Sequence, residues 1–200
     1  MQTILTIDDI EIVRIENEQE AAPFFPSFIG AYQTIFSEPP YNELFYPTDA
    51  ESVLRHVLQT PGHLSLLALR GPIEVVGFGL AVPLISRKDV ARHIQGLLPI
   101  PHTFYLAELG VLSQYRGKRL GRELVRLRLE MIPRSFTHVL LRTSATRHAS
   151  YDMYLKMGFE DIGVYMEVQS RRTDGRVTTD RRLFLSQSLQ EAEQAITGRG

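Results

Sequence analysis

The feature that most constrains the fold is a glycine-punctuated turn between a strand-like and a helix-like segment. The apolar run 104–112 leads into the turn 114–121, and the helical run 122–131 leads out of it. Such a turn presents unpaired backbone N–H groups at a helix N-terminus, where the helix dipole favours an anion. The segment therefore predicts a phosphate site and, with the strand expected after the helix, one parallel crossover.

Positive charge is concentrated on this turn and on the helix after it. Residues 114–134 carry seven Arg or Lys and two Glu, a local charge of +5, whereas the whole chain sums to −1. Cations at a helix N-terminus oppose the macrodipole, so their presence there favours a bound anion. On spacing alone, a solvated basic face and a phosphate site are both open alternatives.

Hydrophobic periodicity predicts a mixed chain of the α/β (α+β) type. Strands are expected at 10–15, 63–69, 74–85, 104–112, 137–143, 162–170 and 177–188. Helices are expected at 23–37, from the capping-box pattern 48–51 to Pro61, within 86–102, and at 122–131 and 149–156. This order predicts a mostly antiparallel sheet of six to seven strands flanked by about four helices. Repeated βαβ units of a Rossmann fold are absent, and Arg119 after Lys118 breaks a Walker-type loop.

Length and composition predict one domain over residues 1–200, with a core at about 8–187 and a tail at 188–200. The chain has no cysteine, which excludes disulfides and thiolate metal sites, and its six histidines lack metal-ligand spacing. The N-terminus resembles no secretory signal and no segment is long enough to span a membrane, so we expect a cytoplasmic protein. Neither nucleic acid nor a membrane is an expected partner.

Two short motifs carry a resemblance to a known family. The first is Arg/Gln-x-x-Gly-x-Gly/Ala, commonly extended by an aliphatic residue and Gly. Gln114, Gly117, Leu120 and Gly121 match this motif, and Arg119 departs from it. The second closes a short helix and is matched by Ala149 or Ser150, Tyr154, Gly158 and Phe159, with Arg147 where Asn is common. With the strand 105–111 and the element order, these motifs resemble the GNAT superfamily of acyl-CoA-dependent N-acyltransferases over about residues 8–187.

The resemblance implies acetyl-CoA as co-substrate and a splayed central pair of parallel strands. The pantetheine would pair with the backbone of Leu109, Gly110 and Val111, as an added strand would. The diphosphate would rest on the segment Gly117, Lys118, Arg119, Leu120, Gly121 and Arg122. Arg119, where the family has Gly or Ala, would either crowd the diphosphate or pair with it, and we expect the pairing.

The resemblance also implies the chemistry, in which a deprotonated primary amine attacks a thioester. Tyr154 matches the family's general acid for the leaving thiolate, and Glu108 is the candidate general base, acting through water. His102 and Thr103 compete with Glu108 for that role. Tyr154 could instead be a core aromatic residue, and Glu108 a solvated residue or an ion-pair partner.

The acceptor site would lie around the first two helices, their loop and the last strands. This nominates Glu38, Tyr41 and Tyr46, with Glu43 and the connection 86–102, because acidic and aromatic groups suit a cationic amine. Residues 1–60 sum to −8, which fits either such a site or a solvated acidic surface. The alternative for Pro39-Pro40-Tyr41 is a rigid turn packed on the core.

Three functions are therefore open. The leading one is an N-acetyltransferase that moves an acetyl group from acetyl-CoA to a primary amine by direct transfer in a ternary complex. The second is a non-catalytic acyl-CoA-binding regulatory module on the same fold. The third is a general anion- or nucleotide-binding interaction domain. The acceptor, whether a small molecule or a peptide amine, and a homodimeric state are open as well.

Overall fold

The computed structural model describes residues 1–146 and 149–189. Its strands are β1 (Gln2–Ile7), β2 (Ile10–Ile15), β3 (Leu64–Arg70), β4 (Glu74–Pro83), β5 (Thr103–Val111), β6 (His138–Ser144), β7 (Glu160–Arg171) and β8 (Val177–Ser188). Its α-helices are α1 (Glu18–Ala21), α2 (Phe25–Ser37), α3 (Pro47–Leu58), α4 (Lys88–Ala91), α5 (Leu120–Met131) and α6 (Ala149–Lys156).

The strands form one eight-stranded sheet in the order β1-β2-β3-β4-β5-β6-β8-β7. The pairs β1–β2, β2–β3, β3–β4 and β6–β8 are antiparallel, and β5–β6 is parallel. The predicted fold class and the parallel crossover are confirmed. The eighth strand is β1, an edge strand with three exposed and three partly buried residues, whose sequence carries too little apolar alternation to stand out.

Two of the helices differ from the sequence-based expectation in ways that have a local cause. Helix α3 begins at Pro47 rather than at Thr48, and the Asp49 carboxylate accepts a bond from the Tyr46 amide at 2.9 Å. The helix expected within 86–102 shortens to α4, because the chain turns at Gly96 with φ 83° and then meets Pro99. The predicted tail, beyond its first residues, lies outside the described residues.

The chain contacts divide the molecule into two compact units. The first unit comprises Met1–Val82, Ala107–Met131 and Gln169–Thr178. The second comprises Pro83–Leu106, Ile132–Val168 and the residues from Thr179 onward. The single-domain expectation stays a prediction.

In the first unit, the sheet carries apolar side chains on both faces. One face packs on α5 through a buried cluster that includes Ile12, Leu66, Val76, Leu120 and Leu124. Another core is aromatic: the ring of Phe78 on β4 lies 4.9 Å from that of Phe28 and 5.6 Å from that of Tyr32, both on α2. These contacts pack β4 against α2 and against α5, the helix that follows the glycine turn.

In the second unit, the parallel pairing joins Thr103–Leu106 of β5 to His138–Leu141 of β6. Within the described residues the pairing of β5 with β6 ends at Leu106 and Leu141, although β5 continues to Val111. Strand β6 also pairs along its whole length with β8, from His138 opposite Ser188 to Ser144 opposite Arg182.

Candidate active site

The glycine turn is an exposed loop anchored at both ends. Residues Ser113–Tyr115 form a 3-10 turn, and the buried Tyr115 accepts a hydrogen bond on its hydroxyl from Arg70 at 3.3 Å. Gly117 has φ 81° and Arg119 has φ 64°, so the chain passes twice through the left-handed region before α5 begins at Leu120. The loop therefore has a defined backbone path on which its amides are displayed.

Several consecutive amides of this loop have no acceptor. The first bond of the helix runs from the Glu123 amide to the Arg119 carbonyl at 3.0 Å. Within the described residues, no acceptor is found for the amides of Gly117, Arg119, Leu120, Gly121 and Arg122. We call these five groups the amide cradle. They are the donors that a helix N-terminus offers to an anion, and the dipole of the 12-residue α5 adds to their attraction.

The backbone of Arg119 is left-handed, a conformation that suits the small residue common at this position in the family that the motif resembles. Its φ of 64° lies in the region that glycine adopts readily and other residues adopt at a strain of about 1–2 kcal/mol. The loop thus keeps a glycine-like path while carrying a guanidinium, which is exposed.

The basic charge of the segment is less concentrated on the loop than the sequence count indicates. Arg126 is paired with Glu123 at 2.7 Å and Glu130 at 2.5 Å, and Arg128 is fully buried. Arg116 pairs with Glu38 at 3.0 Å.

The cations left at the cradle are Lys118, Arg119 and Arg122. In the described part of the chain, neither the Arg119 guanidinium nor the Arg122 guanidinium forms an ion pair or a hydrogen bond. Lys118 lies beside Asp9, whose pKa is lowered mainly by its hydrogen bond to Arg70 and to a lesser extent by Lys118. Two unpaired arginines therefore flank the five amides, a suitable arrangement for a diphosphate.

The β5 residues predicted to contact pantetheine differ in the direction of their backbone N–H and C=O groups. The amide of Leu112 donates to Val76 of β4 at 3.0 Å, and a Cβ on Gly77 of β4 would lie 3.0 Å from the Gly110 carbonyl oxygen. Because backbone groups alternate in direction along a strand, those of Leu109 and Val111 point away from β4. The Val111 carbonyl accepts from Nε of Arg116 at 3.0 Å.

Gly110 also has a packing role in the first unit. A Cβ at this position would lie 2.5 Å from the Phe78 ring and 3.0 Å from Cδ1 of Ile35. Glycine is therefore required here by the aromatic core.

Glu108, the candidate base, is half-buried on β5. Its Oε2 lies 3.5 Å from the Tyr32 hydroxyl, and its main-chain carbonyl accepts from Nη1 of Arg128 at 3.0 Å. Its competitors lie in the second unit. His102 is exposed and meets the Ser135 carbonyl at 3.1 Å. Thr103 is fully buried and donates to the Pro99 carbonyl at 2.9 Å.

Tyr154, the candidate acid, lies on α6 in the second unit and is 7% exposed. The Phe159 amide donates to the Tyr154 carbonyl at 3.1 Å and the Gly158 amide to the Leu155 carbonyl at 3.0 Å, with φ 89° at Gly158. These two bonds are a Schellman motif, and the Tyr154 and Phe159 rings make its hydrophobic contact at 5.6 Å. The second sequence motif is therefore a helix-ending device that fixes Tyr154. Arg147 lies outside the described residues.

The candidate acceptor residues surround the loop between α2 and α3. Glu38 accepts from Ser113 at 2.9 Å as well as pairing with Arg116, so its carboxylate is engaged by the glycine turn. The Tyr41 ring lies 5.3 Å from Phe36, and its carbonyl accepts from Arg172. Tyr46 is 50% exposed, with the Arg171 guanidinium 4.9 Å from its ring.

The same loop is joined to the end of the β7–β8 hairpin within the first unit. The Leu44 amide donates to the Arg171 carbonyl at 2.7 Å, and the Thr173 amide donates to the Asn42 carbonyl at 3.0 Å. Glu43, only 9% exposed, forms an isolated β-bridge with Arg172. The sequence suggested only that these two segments would contribute to one site.

Among the described residues, no group of three or more His, Cys, Asp or Glu could hold a metal ion. None of the helices in that part of the chain is both long and apolar enough to cross a membrane.

The fold and the glycine turn agree with a match to a known protein family. Residues 25–159 match the sequence model of the "Acetyltransferase (GNAT) family". This match covers more than half of the chain, which therefore belongs to that family. Its members generally use acetyl-CoA.

Known proteins similar to this chain agree with that assignment. "N-acetyltransferase 8F1" of Rattus norvegicus is 28% identical over 117 residues, 58% of this chain and 48% of its own length. "N-acetyltransferase 8B" of the same organism is 29% identical over 119 residues. The chain spans about half the length of the curated relatives it matches.

Solved structures show the same fold at low identity. An N-acetyltransferase from Staphylococcus aureus Mu50 has a TM-score of 0.64 at 13% identity, covering 91% of this chain and 99% of its own. Ribosomal-protein-alanine N-acetyltransferase from Brucella melitensis has a TM-score of 0.61 at 20% identity, covering 88% and 98%. At such identities these likenesses concern the fold alone.

Proposed function

We propose that this chain transfers an acetyl group from acetyl-CoA to a primary amine, directly and within a ternary complex. The observation that carries the proposal is the amide cradle at the start of α5, flanked by the unpaired Arg119 and Arg122. A diphosphate is the part of acetyl-CoA that needs such donors, and the family generally uses this co-substrate.

The pantetheine would lie along the β5 edge formed by Leu109 and Val111. Their backbone groups point away from β4 and suit the amides of pantetheine, which would bind as an added strand. The Val111 carbonyl holds Arg116, so pantetheine would share or displace that bond.

The reaction forms one bond and breaks one. The amine nitrogen attacks the thioester carbonyl carbon, the C–N bond forms, and the C–S bond breaks. Glu108 receives the amine proton through water, and the Tyr154 hydroxyl gives a proton to the leaving thiolate. The need for a base depends on the acceptor, because a lysine-type amine has a pKa of about 10.4 and an α-amine about 7.7–8.0.

The acceptor is proposed to be a cationic amine that meets Glu38, Tyr41 and Tyr46 before it loses its proton. Tyr46 is half exposed, and its aromatic face suits a cation. Because Glu38 already pairs with Arg116, the acceptor must compete for that carboxylate.

The proposal is tested with turnover assays that contain acetyl-CoA and one candidate acceptor at a time. The acceptors are amines, aminoglycosides, polyamines and peptide N-termini, and the release of free CoA is measured. An acetyltransferase releases CoA only with an accepted amine. Tyr154→Phe should abolish most of that release while acetyl-CoA affinity is kept. Tyr151→Phe, on the same helix, is the matched control and should stay active.

A result in which acetyl-CoA binds but no amine stimulates CoA release would favour the regulatory module. Displacement of a bound ligand by ATP and not by CoA would favour a general nucleotide-binding domain. Either outcome would contradict the proposed transfer reaction.

A further inference from the structure

Arg128 is a fully buried arginine in the middle of α5, with 0% of its surface exposed. Its Nε donates to the Leu124 carbonyl one turn earlier at 3.0 Å. Its Nη1 donates to the Leu80 carbonyl of β4 at 3.1 Å and to the Glu108 carbonyl of β5 at 3.0 Å. One guanidinium thus joins one helix and two strands of the first unit.

The opposing strand is shaped to admit this side chain. A Cβ on Gly79 of β4 would lie 2.9 Å from Nε of Arg128 and 3.1 Å from Cζ. Because contacts under 3 Å are not tolerated between such atoms, glycine at this point of a buried strand is what leaves room for the guanidinium. Arg128 and Gly79 therefore form a matched pair.

Space filling alone does not account for an arginine at this position. Burying a cation carries a large desolvation penalty, and apolar residues of similar volume are often as stabilising or more so. What an apolar side chain cannot supply is directional bonds to fixed carbonyl groups. The distinctive contribution of Arg128 is the position that these bonds impose on β5 relative to α5.

We infer that Arg128 is a positioning residue that holds the β5 backbone at Glu108 in fixed relation to the amide cradle of α5. The inference rests on the proposed function. Helix α5 carries the cradle at its N-terminus, and Glu108 directly precedes the pantetheine edge at Leu109 and Val111. Arg128 therefore sets the spacing at which one acetyl-CoA molecule can meet both parts.

The test compares acetyl-CoA with adenosine 3′,5′-bisphosphate, which keeps the nucleotide and a 5′-phosphate but lacks pantetheine. Their affinities are measured by calorimetry for wild type, Arg128→Met and Arg128→Lys. Arg128→Met should weaken acetyl-CoA binding by about tenfold or more while changing the bisphosphate by less than about twofold. Lys can reach one carbonyl and should restore part of the loss.

Leu54→Ala, a fully buried residue of α3, is the stability control. Its melting temperature should fall as much as that of Arg128→Met or more, with acetyl-CoA affinity unchanged. If Arg128→Met does not fold, Gly79→Ala serves instead, because its Cβ displaces the guanidinium, and the same selective loss is expected.

Three results would overturn the inference. If the variants bound both ligands more weakly by the same factor, Arg128 would have only a general structural role. Unchanged acetyl-CoA affinity in the variants, with binding by wild type, would overturn the inference and leave the proposed function standing. Failure of the wild-type protein to bind acetyl-CoA would overturn the proposed function, and the inference with it.

Discussion

Arg119 combines a left-handed backbone with a positive charge, and two substitutions separate these properties. Its φ of 64° carries a strain of about 1–2 kcal/mol in any residue with a Cβ. Arg119→Ala keeps the strain and removes the charge. Arg119→Gly removes both, although the greater freedom of glycine in the unfolded chain offsets about 0.5–1 kcal/mol of the gain.

We therefore expect the glycine variant to be more stable than the alanine variant by about 0.5–1 kcal/mol. For a chain of this length, that corresponds to a rise of about 1–4 °C in melting temperature. Thermal and urea unfolding of the two variants measure the difference. An alanine variant as stable as the glycine variant, or more stable, would refute the left-handed conformation.

The same variants report on the charge. An exposed ion pair contributes up to about 1 kcal/mol, so both should bind acetyl-CoA about two- to fivefold more weakly than wild type. The loss should shrink at high salt. Arg134→Ala, which removes an exposed arginine outside the loop, is the matched control and should bind as wild type. Wild-type affinity in both Arg119 variants would show that the guanidinium does not meet the ligand.

Three further predictions concern other residues. Tyr154→Phe should lower kcat by about 10²- to 10⁴-fold with acetyl-CoA affinity kept, and parallel losses in both would contradict an acid role. Glu38→Gln should release Arg116 and tighten acetyl-CoA binding by about two- to fivefold in calorimetry, whereas weaker binding would show that the ion pair supports the site. Burial lowers the pKa of His63 below its usual 6.5, so the unfolded chain binds a proton at a higher pH than the folded chain does. The free energy of unfolding should therefore fall as the pH drops through the pKa of the unfolded chain. Urea unfolding from about pH 7 to about pH 5 should show this loss in wild type and not in His63→Gln, and equal slopes would contradict it.

Local signals in the sequence were sufficient wherever one segment determines its own structure. Helix α6 and its end at Gly158 were predicted because the cap depends on residues only a few positions apart in the chain. The hairpin of β3 and β4 followed from the turn at Gly71. The edge strand β1 was missed because its short sequence carries little hydrophobic alternation.

Long-range contacts account for what the sequence could not predict at the site. Arg128 was counted with the basic loop, although its position one turn after Leu124 places it within the apolar stripe of α5. Only the approach of Gly79 shows why an arginine fits there. In the same way, Glu38 pairs with Arg116, which lies far from it in the sequence. Pattern analysis identifies residue types, and the packing of distant segments determines which of them meet.

The proposal that the amide cradle holds the diphosphate of acetyl-CoA is tested most directly by calorimetric titration of the wild-type protein. Acetyl-CoA and S-acetylpantetheine, which lacks the nucleotide and the diphosphate, are titrated side by side. We expect saturable binding of acetyl-CoA and affinity at least about tenfold lower for S-acetylpantetheine. No binding of acetyl-CoA at high micromolar concentration, or equal affinity for both compounds, would contradict the cradle as the diphosphate site.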